Sequence, residues 1–199
     1  LAHKRLAIID TSSKGNQPFI YNNEDLVLVF NGEIYNYLDL KKELSDLGAT
    51  FNSDSDTEVV VAGYSIWGVD IFSKLAGMFS LALVDNKLNK VILSRDIAGE
   101  KPLFYFHNDR SIFFGSEIKP LSALNISSKK IDTQSLKSLF SNGFSPPSKT
   151  IFSDILKLDA AHYLEFDCNS GGVDIKQYWN LKDKINKIDP SKLNDNLDN

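Results

Sequence analysis

Leu26-Val27-Leu28-Val29-Phe30-Asn31-Gly32-Glu33-Ile34-Tyr35-Asn36-Tyr37 decides how the chain is read, because an apolar run stops at three residues suited to a polar substrate. Leu26 to Phe30, with neither a charge nor a breaker, predicts a strand buried on both faces. Beyond it Asn31 offers a side-chain amide, Gly32 a backbone N–H with no side chain to block approach, and Glu33 a carboxylate. Such a set can stabilise an oxyanion beside a group that holds a cation. The competing reading is a strand followed by an ordinary Asn-Gly turn, and on the dipeptide alone that is the commoner outcome.

Around this stretch, Arg5 to Asp10 predicts a short strand, ended by the polar loop Thr11 to Pro18. Asn36 to Leu47 carries Leu38, Leu40, Leu44 and Leu47 among charged residues and predicts an amphipathic helix stopped by Gly48. Ser55 or Asp56 caps a second helix, Thr57 to Trp67, whose apolar residues leave it little polar face. Four strands follow, Gly77 to Asp85, Lys90 to Asp96, Leu103 to Phe106 and Ser111 to Gly115, and their short connections suggest an antiparallel meander. Ile118 to Leu124 and Thr133 to Phe140 predict short helices, and His162 to Phe166 with Val173 to Trp179 a last hairpin. Residues 182–199, rich in Lys, Asp and Asn, predict a linker or frayed helix. Helices and antiparallel strands segregated in runs make the fold class α+β and layered.

The chain has 199 residues, 42% hydrophobic and 24% charged, enough for one sizeable core. A net charge of −4 with scattered lysines argues against a nucleic-acid partner. No apolar run approaches membrane-spanning length. A single cysteine, Cys168, cannot form an internal disulfide, which suits a cytoplasmic location. Opening at Leu1 inside an apolar pattern, the sequence reads as part of a longer protein.

Four blocks stand in order: Ala2-His3-Lys4-Arg5-Leu6-Ala7-Ile8-Ile9-Asp10; Asn31-Gly32-Glu33-Ile34-Tyr35-Asn36; Ser55-Asp56-Thr57-Glu58-Val59; and Arg95-Asp96 with Gly99, Lys101 to Tyr105 and Ser116 to Lys119. Together they resemble the glutaminase domain of glutamine-dependent asparagine synthetases, a class II glutamine amidotransferase of the N-terminal-nucleophile type. The resemblance runs from Leu1 to about Trp179 and implies a four-layer αββα sandwich of two antiparallel sheets, incomplete at its N-terminus. It divides the chain into a partial amidotransferase domain, 1–181, and a linker, 182–199, towards an absent synthetase domain.

It also implies a reaction, hydrolysis of L-glutamine to glutamate through a thioester, with the ammonia used by the synthetase domain to amidate aspartate. ATP and Mg2+ belong to that second domain, and no cofactor or metal is expected here. Arg5 matches the residue that holds the glutamine carboxylate, and Asp56, assisted by Glu33, the residues that hold its ammonium. Asn31 and Gly32 match the oxyanion donors, and the main chain of Ile8 and Ile9 completes the glutamine contact. Each has a rival reading: Arg5 and Asp10 as an edge-strand ion pair, Asp56 as a helix cap alone. Arg95-Asp96 reads better as a structural pair holding the loop to Gly99. Partners are then glutamine and the synthetase domain of the same polypeptide, and a homodimer is compatible with the sequence.

The family's nucleophile is a cysteine at the mature N-terminus, absent from residues 1–199, so the chain by itself is expected to be inactive. Cys168, in Asp167-Cys168-Asn169-Ser170-Gly171-Gly172, has acidic neighbours that raise a thiol pKa and reads as non-catalytic. His3, His107 and His162 show no metal or triad spacing. Ser170-Gly171-Gly172-Val173-Asp174 mimics the pyrophosphate loop of ATP-using synthetases. A polar segment precedes it and strand residues follow, so it predicts a hairpin turn. Two alternatives stay open: a relative that feeds another acceptor, such as a sugar acid or a lactam-forming centre, and a non-catalytic domain without its nucleophile.

Overall fold

The computed structural model describes residues 1–3, 13–124 and 127–186. The predicted strand Arg5 to Asp10 and residues 187–199 lie outside them. Six strands, β1 (Phe19–Tyr21), β2 (Leu26–Ile34), β3 (Gly77–Asp85), β4 (Lys90–Arg95), β8 (His162–Asp167) and β9 (Val173–Gln177), form one sheet in the order β1-β2-β3-β4-β8-β9. A smaller sheet has the order β6-β5-β7, from β5 (Phe104–Asn108), β6 (Ser111–Gly115) and β7 (Leu156–Lys157). Every pairing is antiparallel.

The period of two along β2 sorts its side chains between two cores. Leu26, Leu28, Phe30 and Ile34 face the helices α1 (Tyr37–Asp46) and α2 (Asp56–Trp67), whereas Val29 faces the space between the sheets. There it meets Ala82, Leu93 and Leu164 from its own sheet and Leu103, Tyr105 and Leu158 from the other side. Val59, Val60, Val61 and Ala62 are all inaccessible, so α2 is apolar on nearly every side because it is covered on nearly every side. Helix α1 buries Leu40 and Leu44, four residues apart on one face, and leaves the predicted core positions Leu38 and Leu47 exposed. Ser55 caps α2, its hydroxyl accepting from Thr57 N–H at 3.2 Å. Three further α-helices, α3 (Ile118–Ala123), α4 (Thr133–Asn142) and α5 (Leu181–Asn186), and two short 3-10 helices, Ser13–Gly15 and Gly68–Ser73, complete the described elements; α3 contacts β5 and β6.

The expected four-strand meander is interrupted after β4, where the chain leaves the large sheet, builds the small one and returns as β8 beside β4. Asp96 makes that turn. Its carboxylate, fully buried, accepts from the N–H groups of Phe79, Ala98, Glu100 and Lys101 at 2.9–3.1 Å. Arg95 donates to the carbonyls of Lys101, Leu158 and Gly99, tying the same loop to the second sheet. The pair is therefore the structural clasp that its sequence suggested. Strand β1, too short to carry a pattern of its own, had no counterpart among the predicted elements.

Candidate active site

Strand β2 does not stop at Phe30 but runs on through Asn31-Gly32-Glu33-Ile34, paired to β3 as far as Ile34 opposite Gly77. The Asn-Gly pair is thus strand, not turn. Hydrogen-bond direction alternates along an antiparallel strand, so the residues whose N–H points away from β3 can be read from their partners. Tyr35 N–H bonds to Ala76 across the β3 side, at 2.7 Å. Phe30 and Ile34 point the other way, Phe30 N–H to the Gln17 side-chain oxygen at 2.6 Å and Ile34 N–H to Asp56 Oδ2 at 3.1 Å. Gly32, between them, shares their direction.

Its strand neighbour confirms the assignment. Phe79, opposite Gly32, directs both backbone groups to Asp96: the carbonyl accepts from Asp96 N–H at 2.9 Å and the N–H donates to the carboxylate at 3.1 Å. Gly32 N–H therefore faces the outer edge of the sheet, where no acceptor takes it among the described residues. Only glycine fits here, since a Cβ on Gly32 would lie 2.1 Å from the Met78 carbonyl oxygen and 2.7 Å from Phe79 Cα. Gly77 shows the reciprocal approach, its would-be Cβ 2.1 Å from Glu33 O.

Asn31 puts its carboxamide on the inter-sheet face and donates from Nδ2 to Ser116 Oγ at a long 3.4 Å. A cavity of about 110 Å³ opens there, lined by Ala2, His3, Asn31, Leu103, Phe114 and Ser116 among others. The site thus combines one backbone N–H fixed by sheet geometry with one side-chain N–H that is loosely held. Donors of this kind, fixed in advance, stabilise developing negative charge in acyl transfer.

Asp56 opens α2, is 5% exposed, and joins the helix start to the end of β2 through Ile34 N–H. The loop before it hangs on Glu58, 1% exposed, whose carboxylate accepts from Asn52 N–H, Ser53 N–H and the Ser53 hydroxyl at 2.6–3.2 Å. The Ser53 hydroxyl in turn accepts from Ser55 N–H at 3.3 Å. Asn36 spans the neighbouring turn, donating to the Lys74 carbonyl and accepting from Ala76 N–H, both at 2.9 Å. The Glu33 carboxylate, half-buried on the strand face that carries Asn31, has no hydrogen-bond or ion-pair partner among the described residues.

Of the predicted site residues, Asn31, Gly32, Glu33 and Asp56 come together at one end of the large sheet; Arg5, Ile8 and Ile9 lie outside the described residues. Three supporting residues, Gln17, Asn36 and Glu58, carry no role in the sequence reading. The sequence signal for two of them was their place inside the quoted blocks.

A family model described as a glutamine amidotransferase domain matches residues 1–179. The chain belongs to this family. The amidotransferase domain is 38% identical over 183 residues to asparagine synthetase [glutamine-hydrolyzing] 3 of Bacillus subtilis, covering 90% of this chain and 29% of that protein. It is 34% identical to putative asparagine synthetase [glutamine-hydrolyzing] 2 of Methanocaldococcus jannaschii, covering 97% and 40%. The chain therefore spans well under half the length of these relatives. Among solved structures, the glutamine phosphoribosylpyrophosphate amidotransferase of B. subtilis superposes with a TM-score of 0.59 at 19% identity, over 89% of this chain and 34% of that one. The fold is that of the N-terminal-nucleophile amidotransferases.

The amidotransferase domain's cysteine is remote from this site. Cys168 N–H bonds to the Asn89 carbonyl at the end of the sheet where Leu26, Asp85, Lys90 and Asp167 stand in register. Asn31 lies three strands across and roughly 17 Å along the strand direction from that row. Desolvation, and after it the Asp167 carboxylate, pushes the Cys168 thiol up. Among the described residues no cluster of His, Cys, Asp or Glu is placed to hold a metal ion, and no helix is long and apolar enough to cross a membrane.

Proposed function

We propose that this domain supplies ammonia by hydrolysing glutamine within a larger, asparagine-synthetase-like protein. The observation that carries the reading is the outward Gly32 N–H beside the Asn31 carboxamide, with Asp56 fixed to the same strand end two residues on. A thiolate attacking the side-chain amide carbon of glutamine turns its carbonyl oxygen into an oxyanion. Gly32 N–H and Asn31 Nδ2 stabilise that charge until it collapses to the thioester, breaking the C–N bond as the nitrogen takes up the proton the thiol gave up and leaves as ammonia. Water then cleaves the thioester to glutamate. Asp56 and Glu33 hold the α-ammonium, and Arg5 the α-carboxylate.

On this reading the thiol comes from outside residues 1–199, because Cys168 stands at the far end of the sheet. The acceptor is aspartate, activated by ATP with Mg2+ in a synthetase domain reached through residues 182–199, and the protein works in the cytoplasm. The Ser170-Gly171-Gly172 turn does not cradle the ATP phosphates, since its N–H groups are all bonded within the turn. The test is glutamate release by the full-length protein. Asn31→Ala should lower kcat by about 10²-fold with a smaller change in KM. Unchanged turnover in that variant overturns the assignment of Asn31, and a wild-type protein that releases no glutamate overturns the function.

A further inference from the structure

We infer that Gln17 is a positioning residue for the oxyanion site, acting as a one-residue surrogate strand that keeps the Gly32 N–H open. Strand β1 pairs with β2 from Tyr21 opposite Leu26 to Phe19 opposite Leu28. Continued at that register, Gln17 would stand against Phe30 and Gly15 against Gly32. An ordinary ladder would then spend the Gly32 N–H on the Gly15 carbonyl. The chain departs from the ladder instead. Gln17 meets Phe30 with its side chain, Oε1 accepting from Phe30 N–H at 2.6 Å and Nε2 donating to the Phe30 carbonyl at 3.0 Å. The backbone is released into the helical turn Ser13–Gly15.

The exchange does two things at once. Both backbone groups of Phe30 are satisfied, so the strand edge leaves no orphaned polar group at this buried residue. The next outward N–H, on Gly32, has no strand opposite it among the described residues, and its direction is held between two fixed bonds, Phe30 to Gln17 and Ile34 to Asp56. A backbone donor is useful to an oxyanion only if its aim is fixed before the charge appears. Among natural side chains, a glutamine carboxamide can both accept and donate at this reach.

This inference rests on the proposed glutamine hydrolysis, and its test uses the full-length protein. Gln17→Met keeps length and volume while removing both hydrogen bonds. Its kcat for glutamate release should fall about 10-fold or more, with KM for glutamine within about 2-fold. Affinity for the γ-aldehyde analogue of glutamine, which becomes a tetrahedral adduct, should fall in step with kcat. Gln17→Glu, which keeps the acceptor for Phe30 N–H, should recover part of the loss, and it carries the same test should the Met variant not fold. Unchanged kcat, a rise in KM alone, or an aldehyde affinity that does not follow kcat would overturn the role of Gln17 while leaving the hydrolysis standing. A wild-type protein that hydrolyses no glutamine overturns both.

Discussion

Two glycine-containing segments of this chain look alike in sequence and differ in what their backbones are free to do. Asn31-Gly32 has the spelling of a turn and is strand; Ser170-Gly171-Gly172 has the spelling of a phosphate cradle and is the turn that its neighbours predict. The difference lies in donor supply. In the second segment every N–H is taken: Cys168 by Asn89 O, Asn169 and Ser170 by Asp167 Oδ1, Gly171 by Asp167 O and Gly172 by the Ser170 hydroxyl. In the first, sheet parity leaves Gly32 N–H at an edge that no strand among the described residues ladders. A glycine motif binds negative charge when its amides point outward and unspent, whatever its spelling.

The sharpest way to break the contrast is Gly32→Ala. The added methyl meets backbone on the β3 side, where strand pairing prevents retreat, and a loss of about 3 kcal/mol is expected from chemical denaturation. Glutamine hydrolysis should vanish with it. A variant that keeps wild-type stability would show that β2 and β3 are not pinched together at this point.

Gly171→Ala is the matched control. Its Cβ would also strike backbone, 2.0 Å from the Asp109 carbonyl oxygen, and its φ of +74° disfavours any side chain. Both turns are solvent-exposed and can part, so about 1–2 kcal/mol is expected, with glutamine turnover per folded molecule unchanged. Lost turnover at preserved fold would place the β8–β9 turn in the chemistry and erase the distinction.

How far these segments could be told apart from sequence follows from the same physics. Periodicity located β3 and β6 to the residue and α2 to within one, since strong runs of one period leave little choice. The neighbourhood of Ser170 was enough to identify a turn. The extension of β2 through Asn31 to Ile34 was hidden, because it depends on Gly77, more than forty positions later, offering a surface bare enough for close approach. The switch between sheets after Arg95 was hidden likewise, being made by four backbone bonds to one buried carboxylate. Gln17 gave no signal at all. A polar residue in a polar loop looks like any other until the strand it imitates is in place.

The smallest expected effect concerns Asp167, on which the closed β8–β9 turn is built. Hydrogen bonds from the backbone of Ser170 and Asn169 hold its carboxyl below the usual range. A carboxylate whose pKa is depressed on folding stabilises the fold above its unfolded value, about 3.9, and that contribution fades as pH falls through the lower folded value. Asp167→Asn should therefore lower Tm slightly at neutral pH, and the gap to wild type should close below about pH 4. Because the group is open to solvent, added salt should narrow it further. A gap that stays constant down to pH 2 would mean that the turn owes nothing to the charge, and phosphate-dependent shifts of the Ser170 and Gly171 amide resonances would show that its donors are not spent after all.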